Sequence, residues 1–132
     1  MNNETSRLNQ IAEVFNSNNF LEAQRLSKEF TGKYPNNGDG WNLLGLSYKN
    51  LAKLQEAIKV FEFLVNGCPK NAFYKSNLGN CYMMLGRINE GIKFFQESIK
   101  DDPNFTTAYE NLALAYTEIN ELDKLKKPLK LF

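Results

Sequence analysis

The sequence predicts an all-α solenoid of helical hairpins, and three observations carry that prediction. Residues recur at a fixed step of 34: Pro69 and Pro103, then Leu44, Leu78 and Leu112, then Tyr48, Tyr82 and Tyr116. Small residues keep the same step at Gly45, Gly79 and Ala113. Within each recurring stretch the apolar positions fall at helical spacing, as in Trp41, Leu44, Tyr48 and in Ile92, Phe95, Ile99, and no segment alternates like a half-buried strand. Pro and Gly fall between these stretches, where helices must stop. A repeat of this length means that each unit buries its apolar face against its neighbours rather than alone.

The elements follow in order from that frame. Stepping back 34 residues from Pro69 reaches Pro35 in KYPNNGDG and places Ala23 opposite Ala57, so residues 4–37 form a degenerate first unit with helices near 4–16 and 20–33. The second unit, 38–71, carries WNLLGLSY on a helix near 38–50 and LQEAIKVF on one near 54–67. Leu51-Ala52 separates the two, and Cys68-Pro69-Lys70-Asn71 ends the unit, because Pro disfavours helix in the residue before it. The third unit, 72–105, repeats the arrangement with YKSNLGNCY, a break at Leu85-Gly86, INEGIKFF and Asp102-Pro103-Asn104; its helices are expected near 72–84 and 88–101. The fourth, 106–132, begins with AYENLALAY on a helix near 106–118 and is then cut short. Leu125 stands where Ala57 and Gly91 stood, and Pro128 falls where the second helix should still run. A helix-interior Pro costs about 3 kcal/mol, so a short helix from about Asn120 to Lys127 and an irregular LKLF tail are expected. Residues 1–132 are read as one domain of these four units.

The small residues have a mechanical role in this frame. Gly45, Gly79 and Ala113 on first helices, with Ala23, Ala57 and Gly91 on second helices, occupy positions where adjacent backbones must approach closely. Gly91 should cost about 0.5–1 kcal/mol relative to Ala inside a helix, which points to packing as the reason for it.

Composition removes several function classes. Lys and Arg total 16 against 15 for Asp and Glu, a net charge of +1, so the basic face of a nucleic-acid binder has no support. The chain contains no His and thus lacks the commonest general acid/base and the commonest metal ligand. No catalytic, metal or cofactor site is expected. Cys68 and Cys81 are too few for a disulfide scaffold and lack CxxC spacing; they are read as buried small apolar residues in a reducing compartment. MNNETSRLNQ carries no apolar signal core, and no stretch approaches the roughly twenty apolar residues of a membrane span. The expectation is a cytoplasmic protein without membrane or nucleic-acid partners.

The residues Trp41, Leu44, Gly45, Tyr48, Ala57, Phe61 and Pro69 closely resemble the tetratricopeptide repeat family, whose pattern W-x2-L-G-x2-Y…A-x3-F…P has a period of 34. A second copy runs Leu78, Gly79, Tyr82, Gly91, Phe95 and Pro103, with Lys75 in place of the Trp. The resemblance implies a right-handed superhelix whose first helices line a concave groove that receives a peptide or helix. With the Leu-Gly-Tyr face packed inward, the groove stripe comprises Asn42, Leu46 and Lys49, with Asp39, in the second unit; Phe73, Ser76, Asn77, Asn80 and Met83 in the third; and Glu110, Asn111 and Leu114, between Thr107 and Thr117, in the fourth. The first unit offers Leu8, Asn9, Ala12 and Phe15.

This stripe mixes amides with apolar side chains and suits an extended segment or helix with apolar anchors. Family members that grip the C-terminal carboxylate of chaperones use Lys, Asn and Arg at set sites. Here those sites hold Leu8, Ala12, Leu43, Phe73 and Asn77 if the clamp begins at the first unit, or Asn42, Leu46, Asn77, Thr107 and Asn111 if it begins at the second, and the basic residues are missing. Asn9, Asn77 and Asn111 recur just before the motif Leu or its counterpart, interrupted by Leu43. They resemble the asparagine ladder of tetratricopeptide arrays attached to sugar-transferring enzymes, in which an amide both donates to and accepts from a peptide backbone; their commonness at that position in the family is the plainer explanation. Phe73, Met83 and Met84 form a compliant apolar site or ordinary packing, and Lys126-Lys127 belong to a solvated face.

The reading is a non-enzymatic protein-interaction module. Two alternatives stay open: an N-terminal targeting segment of a larger enzyme such as a glycosyltransferase, and a self-assembling scaffold. The second follows from the abbreviated last unit. Tyr109, Leu112 and Tyr116 there lack their usual cover, and Leu122, Leu125, Leu129 and Phe132 would either fold back on them or dock on a second copy.

Overall fold

A computed structural model describes residues 3–126, and among them every regular element is a helix. The helices are α1 (Asn3–Asn16), α2 (Phe20–Lys33), α3 (Gly38–Asn50), α4 (Leu54–Gly67), α5 (Ala72–Met84), α6 (Ile88–Asp101) and α7 (Thr106–Lys126). The chain is an all-α helical-repeat solenoid. Each helix packs on the next, and α1 also touches α3, α3 touches α5, and α5 touches α7. The second helices α2, α4 and α6 make no such contacts with one another. The stack is therefore closed on the side of the first helices and splayed on the side of the second, which puts any groove on α1, α3, α5 and α7.

The turns repeat as strictly as the helices. Asn18, Ala52 and Gly86, each 34 residues from the next, adopt φ of 64°, 59° and 83°, the left-handed conformation that reverses a chain between antiparallel helices. Gly adopts it freely and Asn readily, whereas Ala52 does so against its own preference. Between units the chain is restarted by Asn37 and Asn71, whose side chains accept hydrogen bonds from the backbone N–H groups of Gly40 and Tyr74. These caps satisfy helix-end donors and are each typically worth about 1 kcal/mol.

The core explains the small residues. A Cβ added to Gly45 would lie 2.8 Å from the Phe61 ring, and one on Gly79 would lie 2.7 Å from the Phe95 ring. A Cβ on Gly91 would meet the Gly79 carbonyl oxygen at 2.9 Å. Phe61 and Phe95 are completely buried, and burying such a side chain contributes about 1.5–3 kcal/mol. The glycines thus make room for the rings. Sequence inspection passed over Gly40, whose added Cβ would fall 2.5 Å from Phe30 and which seats the second unit on the first.

Two sequence expectations need correction. Helix α7 runs unbroken to Lys126, so no separate short helix starts at Asn120. Asn120 is next in the series Asn18, Ala52, Gly86 but stays helical. At the other three turns a second helix of 14 residues offsets the interruption by burying an apolar face. At the fourth, Leu125 replaces the small close-contact residue and Pro128 follows, so a hairpin would gain too little to offset the hydrogen bonds lost. The LKLF tail lies outside the described residues. The second correction is Cys68, which is exposed, while Cys81 is buried as expected. Cys68 caps α4 in the turn before Pro69, where no neighbouring helix covers it.

Candidate ligand groove on the first helices

Each first helix presents one stripe to the closed side of the stack, and side chains of adjacent units bond across it. Asn77 Nδ2 donates to Asn42 Oδ1 at 3.3 Å, joining α5 to α3. Asn111 Nδ2 donates to Ser76 Oγ at 3.2 Å, joining α7 to α5. Both pairs span 35 residues, one more than the repeat. That offset was available in the sequence, since Asn42 with Asn77 and Ser76 with Asn111 all lie on the proposed stripe.

The stripe residues differ in what they leave available. Ser76 and Asn77 are buried; Asn42, Leu46, Lys49, Asn80, Met83 and Asn111 are half-buried; Phe73, Glu110 and Leu114 are exposed. Leu46 packs on the cluster around Phe61 and Met83 on the one around Phe95, so part of their apolar surface is already used. Phe73 has its ring 6.0 Å from that of Phe105 and 6.5 Å from that of Tyr74, forming an aromatic edge to the stripe. Met84 is exposed rather than packed under the next hairpin. In α1, Asn9 is exposed and makes no side-chain bond to α3 among the described residues.

A single amide–amide bond leaves half of each group unused. Asn77 is only 7% exposed, yet its Oδ1 accepts no hydrogen bond among the described residues. No buried side-chain nitrogen or oxygen lacks a partner among them, so this oxygen reaches solvent. Asn42 Nδ2 is unused in the same way. Together the pair offers one acceptor and one donor, the two groups a peptide bond requires.

Lys49 is the cation of this stripe. Burial pushes its ammonium below the usual lysine range, and the neighbouring Cys81 thiol opposes that shift. Burial pushes Cys81 up to about 11, leaving it a neutral, inert thiol at ordinary pH. A further site escaped sequence reading. Lys75, which replaces the motif Trp, pairs with Asp101 at 2.5 Å, their side chains 13% and 15% exposed. In the second unit Trp41 instead packs 5.0 Å from Phe63 and donates to the Pro35 carbonyl at 2.8 Å. Glu97 stands at the Phe63 position of the third unit, so the aromatic contact was lost on both helices and replaced by an ion pair nearby.

The described residues include no His, Cys, Asp or Glu group able to hold a metal ion and no helix long and apolar enough to cross a membrane. Comparison with known proteins agrees with the architecture. Profiles described as tetratricopeptide repeat match residues 38–63 and 72–105. No curated protein matches the chain. Among solved structures, the Sgt2 tetratricopeptide domain from Aspergillus fumigatus superposes with a TM-score of 0.88 at 13% identity, covering 100% of this chain and 89% of that one. The first tetratricopeptide domain of Spaghetti (RPAP3), bound to the HSP90 peptide SRMEEVD, gives 0.80 at 16% identity over 89% and 93%. MamA gives 0.79 at 21% identity, covering 90% of this chain and 70% of that one. With the repeat profiles falling on α3 to α6 and helical hairpins running from α1 to α6, the chain belongs to the tetratricopeptide repeat family.

Proposed function

We propose that this chain is a cytoplasmic, non-enzymatic protein-interaction module that holds an extended segment of a partner protein along α3, α5 and α7. The supporting observation is the pair of inter-unit bonds, Asn42 with Asn77 and Ser76 with Asn111. They fix the amides of successive units in place while leaving polar atoms for a ligand main chain, and preorganised groups lose little entropy on binding. The groove residues are Asn42, Leu46, Lys49, Phe73, Ser76, Asn77, Asn80, Met83, Glu110, Asn111 and Leu114. They lie on a single domain of units 4–37, 38–71, 72–105 and 106–132. That the RPAP3 domain binds a peptide supports the class of ligand. The motif sites that would supply basic clamp residues hold Leu, Ala, Asn, Phe and Thr, so a chaperone C-terminus is not the partner proposed.

The test begins with capture of the natural partner from the source cell by the wild-type chain. The double change Asn77→Ala, Asn111→Ala should weaken that partner by about 1–3 kcal/mol, because buried peptide groups lose their bonds. Asn77 is itself buried and bonded, so a loss of stability of about 1 kcal/mol is also expected, and binding is measured well below the melting temperature. If the partner survives the double change but is lost on altering exposed residues of α4 and α6, such as Lys59 and Lys93, the groove assignment is wrong.

A further inference from the structure

We propose that Lys49 receives the carboxylate of an Asp or Glu in the bound segment, so that the groove selects partners with an acidic side chain close to the residue held by Asn42 and Asn77. The inference rests on the groove reading above and specifies its ligand. Lys49 lies on the same face of α3 as Asn42 and Leu46, three residues beyond Leu46. Lys49 is half-buried and stands seven residues, or about 10.5 Å, along α3 from Asn42. A turn rises about 5.4 Å, and alternate residues of an extended chain are about 6.6 Å apart. The two turns of α3 from Asn42 to Lys49 are therefore spanned by about three residues of an extended segment, so a segment that meets the Asn42–Asn77 pair and runs on along α3 brings a side chain to the Lys49 position.

Charge complementarity points to a carboxylate. Among the described residues the Lys49 ammonium makes no ion pair and no hydrogen bond. Lys75, the other half-buried lysine among the described residues, has Asp101. On α3 itself, Asp39 is ten residues, or about 15 Å, away, and Glu110 is exposed on α7 two units along. A partly desolvated charge without a counter-ion is costly, and a ligand carboxylate removes that cost where water removes it only partly. Lysine is not required merely to cover the Cys81 thiol with its methylene stem, since Met would do so equally well.

The probe is a pool of randomised twelve-residue peptides, made once with free and once with amidated C-termini. It is presented to the full chain as wild type, Lys49→Met, Lys49→Gln and Lys49→Arg, each checked for helicity. Wild type and Lys49→Arg should enrich Asp and Glu about three- to tenfold over Lys49→Met and Lys49→Gln, in both pools, as a partly buried ion pair would. Equal acidic content on all four chains would overturn the inference while leaving the groove in place. Enrichment confined to free C-termini would assign the carboxylate to a chain end and overturn the side-chain form. If no chain retains any peptide, the groove reading fails, and this inference with it.

Discussion

Lys75 shows how a single residue can depart from a repeat motif without breaking the repeat. Its ammonium and the Asp101 carboxylate are both largely shielded from water, so removing one leaves the other half-buried and unpaired. Asp101→Ala should therefore destabilise the chain by about 1–3 kcal/mol, less than for a fully buried pair because some solvent remains. Denaturant melts of Asp101→Ala, Lys75→Met and the double variant check this, and a double variant less stable than Asp101→Ala alone would refute it. Glycines give a sharper contrast at the same scale. Gly79→Ala would press a methyl into the Phe95 ring and within 3.0 Å of the Gly91 carbonyl oxygen, costing about 1–3 kcal/mol. Gly32 lies inside α2 with nothing near its missing side chain, so Gly32→Ala should stabilise by about 0.5–1 kcal/mol. Opposite signs in thermal melts are the expected outcome, and equal shifts would show that contact with Phe95 is not what fixes Gly79. The cysteines separate by burial: a thiol reagent should label Cys68 at once and Cys81 only as the chain unfolds.

At the scale of elements, six of seven helices were legible because motif, period and punctuation agreed at each of them. Gly45 and Ala57 could be recognised as close-approach positions from the 34-residue frame, and the structure adds that the Phe61 ring fills the space at Gly45. What could not be read was any feature that depends on a competition. Asn120 has the same register as Gly86, yet whether it turns depends on what the following residues can bury, which a motif does not state. The pairing of Lys75 with Asp101 was hidden for the same reason: the motif marks the missing Trp but not its replacement. On the groove stripe, the identities of the amides were legible, while the bonds that use up half of Asn77 and Asn111 were not. This account of α7 is testable. Replacing residues 121–132 by the sequence from Arg87 to Asp101 supplies Ile88, Gly91, Phe95 and Ser98 at the hairpin positions. Asn120 should then adopt the left-handed turn, and the melting temperature should rise by several degrees, as about 1–2 kcal/mol implies for a domain of this size. Spin labels at Thr107 and at the new C-terminus would report about 10 Å for a hairpin, the spacing of packed helices. A separation above about 30 Å would mean that the helix still runs straight.

For the whole molecule, the consequence of an unbroken α7 is that, among the described residues, no second helix covers its outer face, where a repeat stack otherwise places one. Tyr109 and Tyr116 are 46% and 49% exposed, and exposed Ala113 lies between them; this is the face that α4 covers on α3 and α6 covers on α5. Gln96 holds the Tyr116 hydroxyl at 3.1 Å and so fixes the ring without covering it. On a straight helix, Leu114, Leu122 and Leu125, also exposed, project from nearly the opposite side at about 100° per residue. The end of α7 therefore cannot cover its own tyrosine face while it remains straight, but the leucine stripe of a second copy can. We predict weak self-association through α7. A stable dimer needs about 1,200–2,000 Å² of buried surface, and one helix face per copy supplies less than that, so a Kd of about micromolar or weaker is expected. Sedimentation from roughly 100 to 1 μM, a hundredfold dilution around that range, should show the mass fall toward that of one chain, and Tyr109→Ser with Tyr116→Ser should shift the transition to higher concentration. Removing residues 128–132 separates the contribution of the tail from that of the helix. A monomer at every concentration, with the melting temperature unchanged by truncation, would show that the tyrosine face needs no cover and that neither α7 nor the tail provides one.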